Sequence, residues 1–380
     1  MRKTGLAALH LIIALAALLA APAARAQARA PEPVYRELKQ WILGCDNTRR
    51  CTARFVRSEF APPAALRGRD LALMSVTREG GATGALTVRL SIPSEYDEDT
   101  RQKTLMRFDP ARLQLDGQPL APRLDAPRRA GPVSEHVLTG PAALQFLITL
   151  QGGSLLALTN RPDSPLISLE GLTEALVAMD QAQGRANNQS ALIHGAGAAP
   201  ASATPPGLPA PLVKAAPAPQ PLPNAAAIAA QVRGAKVRIL RQHGCDLRRS
   251  DDVAARLNER EVVILLKCNT GAYQGYVLAF RATLANLSDA RILRLPWPGF
   301  LSEANGGDVA GEYGAGAYDP STATFSQTGY GRGIGDCGTR ARWVFDGKDF
   351  HLAELNYQDR CGGVPEDWLT LYRTRVLELP

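Results

Sequence analysis

Residues 41–56 read WILGCDNTRRCTARFV and contain the most specific of the cysteine spacings in the chain. Two apolar segments with the pattern of β-strands flank Asp46–Arg50, a centre rich in turn-forming residues. The pattern predicts a β-hairpin whose strands place Cys45 and Cys51 opposite each other. A disulfide between these two cysteines would stabilise the hairpin, by on the order of 2–3.5 kcal/mol.

The other four cysteines are also expected to form disulfides. Their spacing favours disulfides between Cys245 and Cys268 and between Cys337 and Cys361, although a crossed arrangement, 245–361 or 268–337, stays open. No Cys-x-x-Cys motif occurs and no histidine stands at zinc-finger spacing, so we expect neither a metal site nor a thioredoxin-like redox site. Six paired cysteines indicate an oxidising compartment.

The first residues have the order of a Sec-type signal peptide. Arg2 and Lys3 precede an apolar run over residues 6–21, and a small-x-small cleavage site ends at Ala26. The run is shorter than the ~20 residues of a membrane-spanning helix. We therefore expect cleavage after Ala26, a periplasmic or secreted protein, and no stable membrane span after cleavage.

Composition sets the expected size and surface charge. The chain has 380 residues, of which 45% are hydrophobic and 21% charged, which is typical of globular proteins. At about 100–200 residues per domain, this length suggests two domains. Removal of the signal peptide takes away three basic residues and no acidic ones, which lowers the formal charge from +7 to +4. This small excess is spread along the chain, so we expect no nucleic-acid partner.

A change of composition divides the chain into two halves. Nine of the 24 residues from 200 to 223 are proline, within a segment that is also rich in alanine. Such a segment favours extended polyproline conformations and buries little apolar surface. We therefore predict a signal peptide over 1–26, an N-terminal β-rich domain over 31–194, a Pro/Ala-rich linker over 195–224 and a C-terminal β-rich domain over 225–380.

Apolar and polar residues alternate through much of both halves, which predicts β-strands. The predicted strands, several of them paired as hairpins, cover residues 86–93, 112–115 with 118–120, 144–150 with 154–158, 261–268, 276–282, and 342–345 with 350–355. No strand–helix–strand alternation recurs, so we expect antiparallel pairing. The predicted fold class is mainly β (all-β to α+β), with two antiparallel β-rich, sandwich-like domains and a few helices, joined by the Pro/Ala-rich linker.

Three helices are expected beside the strands. The first covers about 170–183 and the second about 224–241. A short third helix would begin with Ser250 as its N-cap and bury Val253 and Leu257.

Catalytic and cofactor motifs are absent from the sequence. The histidines of the exported chain, His136, His194, His243 and His351, form no His-x-His or His-Glu-x-x-His pattern, and no Gly-x-Ser-x-Gly occurs. The glycine-rich segment 329–335 lacks the Gly-Lys-Ser/Thr of a phosphate-binding loop and precedes a cysteine rather than a helix. We therefore expect no catalytic residue, no metal and no cofactor.

The segment from Trp297 to Asp336 is the best candidate for a binding surface. Six residues carry this prediction: Trp297, Tyr313, Tyr318, Tyr330, Arg332 and Asp336. Aromatic and arginine side chains on a long loop rich in glycine and serine are typical of binding surfaces. The alternative is that the aromatic rings pack beneath the loop as core, and that Asp336 caps a turn or pairs with Arg332 or Arg340.

Three groups of residues resemble a known family. They are Trp41-x-x-x-Cys45-Asp46-Asn47-Thr48-Arg49-x-Cys51, the segment from Glu170 to Arg185, and Gly331-Arg332-Gly333-x-Gly335-Asp336-Cys337-Gly338 with Trp343, Cys361 and Trp368 further on. Together they are similar to domain-of-unknown-function family 1176, exported bacterial proteins with six cysteines. The N-terminal half more loosely resembles invasion-associated locus B proteins. The resemblance implies an exported β-rich protein and no particular activity, and Cys361-Gly362-Gly363 departs from the Cys-Arg-Gly frequent in the family.

Three functions are compatible with these patterns. The first, which we favour, is a non-catalytic binding or scaffold protein of the envelope or periplasm, stabilised by three disulfides. The second is a periplasmic, hydrolase-like enzyme acting on envelope polymers, which requires Arg332, Asp336, His351 and a tyrosine in one cleft on the 297–336 loop. The third is a secreted inhibitor of a hydrolase. The expected partner is an envelope protein or polymer, and its identity stays open.

Overall fold

The computed structural model describes residues 31–57, 63–93, 95–97, 102–104, 107–120, 133–193, 199–248, 251–304 and 311–377. Within these residues the chain forms mostly antiparallel sheets with a few helices, which confirms the predicted fold class. In the same residues no helix has the length and hydropathy needed to cross a bilayer. The predicted signal peptide lies outside the described residues.

The first half of the described chain contains twelve strands and two α-helices. The strands are β1 (Val34–Leu38), β2 (Trp41–Cys45), β3 (Cys51–Phe55), β4 (Leu73–Arg78), β5 (Leu86–Ser91), β6 (Glu95–Asp97), β7 (Gln102–Thr104), β8 (Gln114–Leu115), β9 (Gln118–Pro119), β10 (Glu135–Thr139), β11 (Leu155–Ala157) and β12 (Leu166–Ser168). The helices are α1 (Gly140–Leu150) and α2 (Leu172–Ala182). A six-stranded sheet has the order β1-β2-β3-β4-β5-β10, a four-stranded sheet has the order β12-β11-β8-β9, and β6 pairs with β7.

The hairpin predicted at residues 41–56 is present at the centre of the six-stranded sheet. β2 and β3 pair in antiparallel register with Cys45 opposite Cys51, and a disulfide joins them. One face of the sheet packs against α1 and α2, where Trp41 is fully buried and its indole N–H donates to the Ser168 carbonyl at 3.0 Å. The core of this half therefore lies between the sheet and the two helices.

The apolar run 144–150 is helical, so the hairpin predicted about Gly152-Gly153 is wrong. α1 starts at Gly140 with Pro141 in its first turn, a position that suits proline. Its buried residues, Ala143, Phe146, Leu147 and Leu150, follow the spacing of one helix face. The helical spacing is therefore present in the sequence, but the mostly apolar run 144–150 also fits a buried strand. The helix predicted over 170–183 is confirmed as α2.

The second half contains twelve further strands and three α-helices within the described residues. The strands are β13 (Leu212–Lys214), β14 (Val253–Arg256), β15 (Glu261–Thr270), β16 (Gly275–Thr283), β17 (Asn286–Ile292), β18 (Glu312–Gly314), β19 (Ala317–Asp319), β20 (Thr324–Tyr330), β21 (Gly338–Phe345), β22 (Phe350–Gln358), β23 (Leu369–Arg373) and β24 (Arg375–Leu377). The helices are α3 (Ala225–Ala235), α4 (Val237–Gln242) and α5 (Gly299–Ala304). One sheet has the order β14-β15-β16-β17 with β18 also paired to β16, and a second sheet has the order β19-β20-β21-β22-β23.

The two sheets of the second half enclose one hydrophobic core, and α3 and α4 cover the opposite face of the first sheet with a smaller core. The helix predicted near 224–241 is therefore confirmed as α3 and α4. The strands predicted at 261–268 and 276–282 are confirmed as β15 and β16, and the hairpin within 342–355 as β21 and β22.

Two expectations for this half are wrong. Val253 lies in strand β14 rather than in a helix, and it is 47% exposed because it sits at the start of an edge strand that pairs only with β15. The proposed N-cap, Ser250, lies outside the described residues. The segment 297–332 is not one long loop, since α5, β18, β19 and β20 lie within it.

All six cysteines are paired as three local disulfides. The pairs are Cys45–Cys51, Cys245–Cys268 and Cys337–Cys361. The predicted pairing is therefore confirmed, and the crossed arrangement of the second half is excluded. The second disulfide ties the end of α4 to β15, and the third ties the start of β21 to the segment that follows β22.

Residues of the two halves contact each other. Gly44 in β2 is buried against β23, so that a Cβ added to it would lie 2.6 Å from Cδ2 of Leu371. Ile42, on the same face of β2, belongs to the hydrophobic cluster of the second half. The segment predicted as a linker also makes contacts, since β13 pairs with β24 and the Leu208 N–H donates to the Thr48 carbonyl at 3.2 Å. The domain limits themselves stay a prediction.

Candidate functional site

Both sheets of the second half contribute to a cavity of about 600 Å³. Its wall contains five aromatic side chains, Tyr276, Trp297, Tyr313, Tyr330 and Tyr357. We call it the aromatic cavity. Its volume lies within the range of ligand sites in proteins, which are concave and combine apolar walls with a few placed polar groups.

Two glycines allow the strands around the aromatic cavity to approach closely. A Cβ at Gly314 in β18 would lie 2.6 Å from the Thr328 carbonyl oxygen of β20. Gly338, the first residue of β21, has a φ of 146°, a conformation that other residues rarely adopt. Tyr276 pairs with Gly314 and Tyr330 pairs with Gly338, so the glycines place the strands that carry these rings.

Rings outside the wall brace three of the aromatic side chains edge to face. Trp297 contacts Trp343, with ring centroids 4.7 Å apart, and Tyr330 contacts Trp368 at 5.9 Å. Tyr357 contacts Tyr35 of β1 at 4.8 Å. Such contacts stabilise aromatic pairs and restrict their rotamers. The rings are therefore held in place before any ligand enters.

Gln327 in β20 is the most informative polar residue of the wall. It is only 7% exposed, yet its side-chain amide makes no hydrogen bond within the residues that the structure describes. This amide is not among the fully buried side-chain groups that lack a partner, so water or a ligand in the cavity can reach it. Such a group beside a cavity points to a hydrogen-bonding ligand.

Two hydroxyl groups are also available in the aromatic cavity. Thr339 in β21 and Tyr357 in β22 line it, and neither hydroxyl is hydrogen-bonded within the described part of the chain. Burial first, then the nearby acidic groups of Asp359 and Glu37, raise the pKa of Tyr357 to about 12. Its hydroxyl therefore stays protonated at neutral pH and can donate a hydrogen bond.

The charges of the wall nearly balance. Arg294, Glu312 and Asp359 line the aromatic cavity. Glu312 is hydrogen-bonded to the imidazole of His243, at the end of α4. Burial and the neighbouring Glu37 raise the pKa of Asp359, although Arg360 opposes this shift. Among the described residues, the wall thus presents one guanidinium without an ion-pair partner and no excess of positive charge.

The structure brings together three of the six residues predicted from sequence. Trp297, Tyr313 and Tyr330 line the aromatic cavity, whereas Tyr318 packs against Phe350 with ring centroids 6.1 Å apart. The Tyr313 hydroxyl serves the core, since it donates to the Leu293 carbonyl at 3.0 Å and accepts from the Leu295 N–H. The alternative prediction, in which aromatic rings of this segment pack as core, is therefore correct for Tyr318 and for the hydroxyl end of Tyr313.

Asp336 and Arg332 form an ion pair at the edge of the core rather than part of the wall. Asp336 is fully buried, with Arg332 Nε 2.7 Å from Oδ1 and the Gly363 N–H 2.6 Å from Oδ2. Burial alone would raise the pKa of Asp336, but these two donors hold it below its usual value. The structure therefore contains an ion pair between Asp336 and Arg332, which was one of the alternatives considered from the sequence.

The groups required for the enzyme hypothesis do not meet in one cleft. His351 lies away from Asp336 and Arg332, with its Nε2 2.7 Å from Oδ2 of Asp346. Among the described residues, Asp336, Cys337 and Cys361 lie close enough to suggest a metal site, but the two cysteines share a disulfide and offer no thiolate.

Most residues of the wall were not predicted from the sequence, among them Tyr276, Gln327, Thr339 and Tyr357. The two tyrosines lie in or beside strands, where an aromatic residue predicts core packing. Gln327 and Thr339 follow the ordinary polar alternation of β20 and β21. No signal in the sequence distinguishes them from solvent-facing residues, because the site forms only when two sheets pack.

A second cavity, of about 570 Å³, lies between the outer face of the six-stranded sheet and β23. Hydroxyl groups of Thr52, Thr77 and Thr87 line it in one cross-strand row. Its arginines already have carboxylate partners: Arg54 pairs with Asp367, Arg89 with Glu135, and Arg50 with Glu79. Arg373, which also lines this cavity, pairs with Asp46. The arginines of this cavity are therefore engaged in ion pairs.

Comparison with known proteins places these features in a family. The uncharacterized protein YpfG of Escherichia coli (strain K12) is 28% identical over 355 residues, which cover 90% of this chain and 94% of YpfG. The crystal structure of invasion associated protein B from Bartonella henselae aligns with 40% of this chain and 99% of its own, at 15% identity and a TM-score of 0.24, a value too low to support an argument. The model of a family described as protein of unknown function (DUF1176) matches residues 35–375. The chain therefore belongs to the DUF1176 family, as its motifs predicted.

Proposed function

We propose that this protein is a non-catalytic binding protein of the bacterial envelope and that the aromatic cavity is its ligand site. One observation carries the proposal. Gln327 is 7% exposed and lines a cavity of about 600 Å³, and its side-chain amide makes no hydrogen bond within the described residues. A ligand that enters the cavity can use both the donors and the acceptor of this amide.

Two sequence and structural features support the envelope location. All six cysteines are paired, and disulfides persist mainly in oxidising compartments. The first 26 residues have the order of a signal peptide. Expression of the full chain in a bacterium, followed by fractionation and N-terminal sequencing, tests the location. We expect a mature chain starting at Gln27 in the periplasmic or secreted fraction; an uncleaved chain in the cytoplasm would contradict it.

A binding role fits the chemistry of the wall better than a catalytic one. Asp336 is tied to Arg332, and His351 is tied to Asp346, so neither group is poised as an acid, base or nucleophile in the aromatic cavity. The rings and neutral polar groups that line it are instead the components of a recognition site.

A thermal-shift screen of the purified, disulfide-bonded protein tests the binding role. Libraries of oligosaccharides, peptides and small metabolites are added separately, and the ligand-induced change in unfolding temperature is recorded. We expect at least one compound to raise the unfolding temperature of the wild type and of Tyr318→Phe, a control that removes a hydroxyl outside the cavity. The same compound should fail to stabilise Trp297→Ala. A screen without any stabilising compound, or one in which Trp297→Ala responds like the wild type, would overturn the proposal.

A further inference from the structure

We infer that the ligand of the aromatic cavity is a neutral saccharide, in the form of a short stretch of glycan. This inference rests on the proposed function and narrows it to one chemical class. Saccharides combine two kinds of surface: C–H groups on the faces of the ring and hydroxyl groups around its rim. A site for them therefore needs aromatic faces and uncharged hydrogen-bonding groups side by side.

The aromatic faces are present and rigid. Tyr276, Trp297, Tyr330 and Tyr357 line one cavity. The face of an aromatic ring carries partial negative charge, which attracts the weakly positive C–H groups of a sugar ring. Because edge-to-face contacts already fix Trp297 and Tyr357, binding a saccharide orders few side chains and loses little entropy.

The uncharged hydrogen-bonding groups are also present and unused. The Gln327 amide offers two donors and one acceptor, and the hydroxyls of Thr339 and Tyr357 can each donate or accept. None of the three groups has a partner within the described residues. Together they can satisfy several sugar hydroxyls, which lose their water when they enter the cavity.

The charge of the wall argues against an anionic ligand. Among the described residues of the wall, Arg294 is the single basic one, whereas Glu312 and Asp359 supply two carboxyl groups. Polyanions are recognised by clusters of arginine and lysine, which the wall lacks among the described residues. A neutral ligand avoids repulsion from the carboxyl groups and can still use the guanidinium of Arg294 as a hydrogen-bond donor.

The rim of the cavity has room for a ligand longer than one sugar. Tyr273, in the turn between β15 and β16, is 48% exposed and donates from its hydroxyl to the carbonyl of Gly331, which lines the cavity. An exposed aromatic ring beside a ligand site provides a further stacking surface. A glycan chain that leaves the cavity can therefore continue across Tyr273.

Isothermal titration of the purified, disulfide-bonded protein tests this inference. The probes are N-acetylchitotetraose, cellotetraose and maltotetraose as neutral saccharides, a sulfated oligosaccharide of similar length, and a set of tetrapeptides. We expect at least one neutral tetrasaccharide to bind and the sulfated and peptide probes not to bind. Tyr357→Phe removes one hydroxyl in the cavity and should weaken binding about tenfold. Its matched control, Tyr318→Phe, should bind like the wild type.

Gln327→Ala should weaken the same interaction about tenfold, while its circular-dichroism spectrum and unfolding temperature show that it remains folded. Binding of a neutral saccharide with equal affinity to Tyr357→Phe and Gln327→Ala would overturn the inference, because the site would lie elsewhere. Binding of peptides or of the sulfated probe alone would also overturn it, yet would leave the proposed binding function intact. Hydrolysis of a bound tetrasaccharide during incubation would instead keep the saccharide class and overturn the non-catalytic role.

Discussion

Substitution of Gly44 by valine tests whether the two halves pack as the structure shows. Gly44 lies in β2, and a Cβ there would be 2.6 Å from Leu371 Cδ2 and 3.0 Å from Leu369 Cδ1. Both leucines are almost completely buried, at 0% and 2% exposure, so they have little room to move. The three added carbons of valine would therefore push β23 away from β2.

Two opposing effects set the size of the change. Valine favours the extended backbone over glycine by about 0.5–1 kcal/mol, because glycine loses more conformational entropy on folding. Overpacking of a filled site costs about 1–3 kcal/mol. We therefore expect Gly44→Val to lower the free energy of unfolding by about 1–2 kcal/mol, which corresponds to a shift of roughly 0.5 M in the urea midpoint.

Urea titration monitored by tryptophan fluorescence measures this change in both halves, since Trp41 lies in the first half and Trp297, Trp343 and Trp368 lie in the second. Gly234→Ala is the matched control: Gly234 lies inside α3 with no atom near its missing Cβ, so this variant should gain about 0.5–1 kcal/mol. A Gly44→Val variant as stable as the wild type would refute the packing of β2 against β23. Two separate transitions in the fluorescence curve would show that the halves unfold independently.

Three further sets of substitutions are expected to lower the stability of the protein. The double variant Cys337→Ser/Cys361→Ser opens a loop that spans 24 positions and should be about 3 kcal/mol less stable in non-reducing urea titrations; equal stability would contradict the role of this disulfide. Burial alone would raise the pKa of Asp336, but Arg332 and the Gly363 N–H hold it low, so its stabilising effect is complete above the unfolded pKa of about 3.9 and is lost as the pH falls through the folded value. Asp336→Asn should therefore be about 2 kcal/mol less stable than the wild type at neutral pH, and urea titrations below about pH 4 should find the difference shrinking, whereas a constant difference would exclude the ion pair as its source. Gly338→Ala should unfold several degrees lower in calorimetry, because its φ of 146° and the nearby Gly329 carbonyl leave no place for a Cβ; an unchanged melting temperature would contradict this conformation.

The hairpin at residues 41–56 shows what sequence reasoning can establish. Its strands, its turn and its disulfide are all local, so the order of residues along the chain contains the information. The Asp116-Gly117 turn was predictable for the same reason, since both residues adopt the positive φ that such a turn requires. The local spacing of the cysteines in the second half likewise gave the correct pairs.

The errors lie where tertiary packing decides the outcome. The run 144–150 is mostly apolar, and whether it forms a helix or a buried strand depends on which surface it covers. Val253 became part of a strand because β15 offered a free edge. Gln327 could not be singled out, because a polar residue in an alternating strand becomes unusual only when a second sheet buries it.

The third disulfide and the aromatic cavity are parts of one structure. Gly331, in the wall of the cavity, packs so closely on Cys337 that a Cβ would lie 2.6 Å from its sulfur, and its N–H donates to the Cys337 carbonyl at 2.9 Å. On the opposite side of the disulfide, Gln358 lines the cavity and donates to the carbonyls of Asp336 and Arg360. The disulfide therefore cross-links two segments that form one wall. This disulfide thus fixes the shape of the aromatic cavity, whose wall combines amide, hydroxyl and aromatic groups with the charged side chains of Arg294, Glu312 and Asp359.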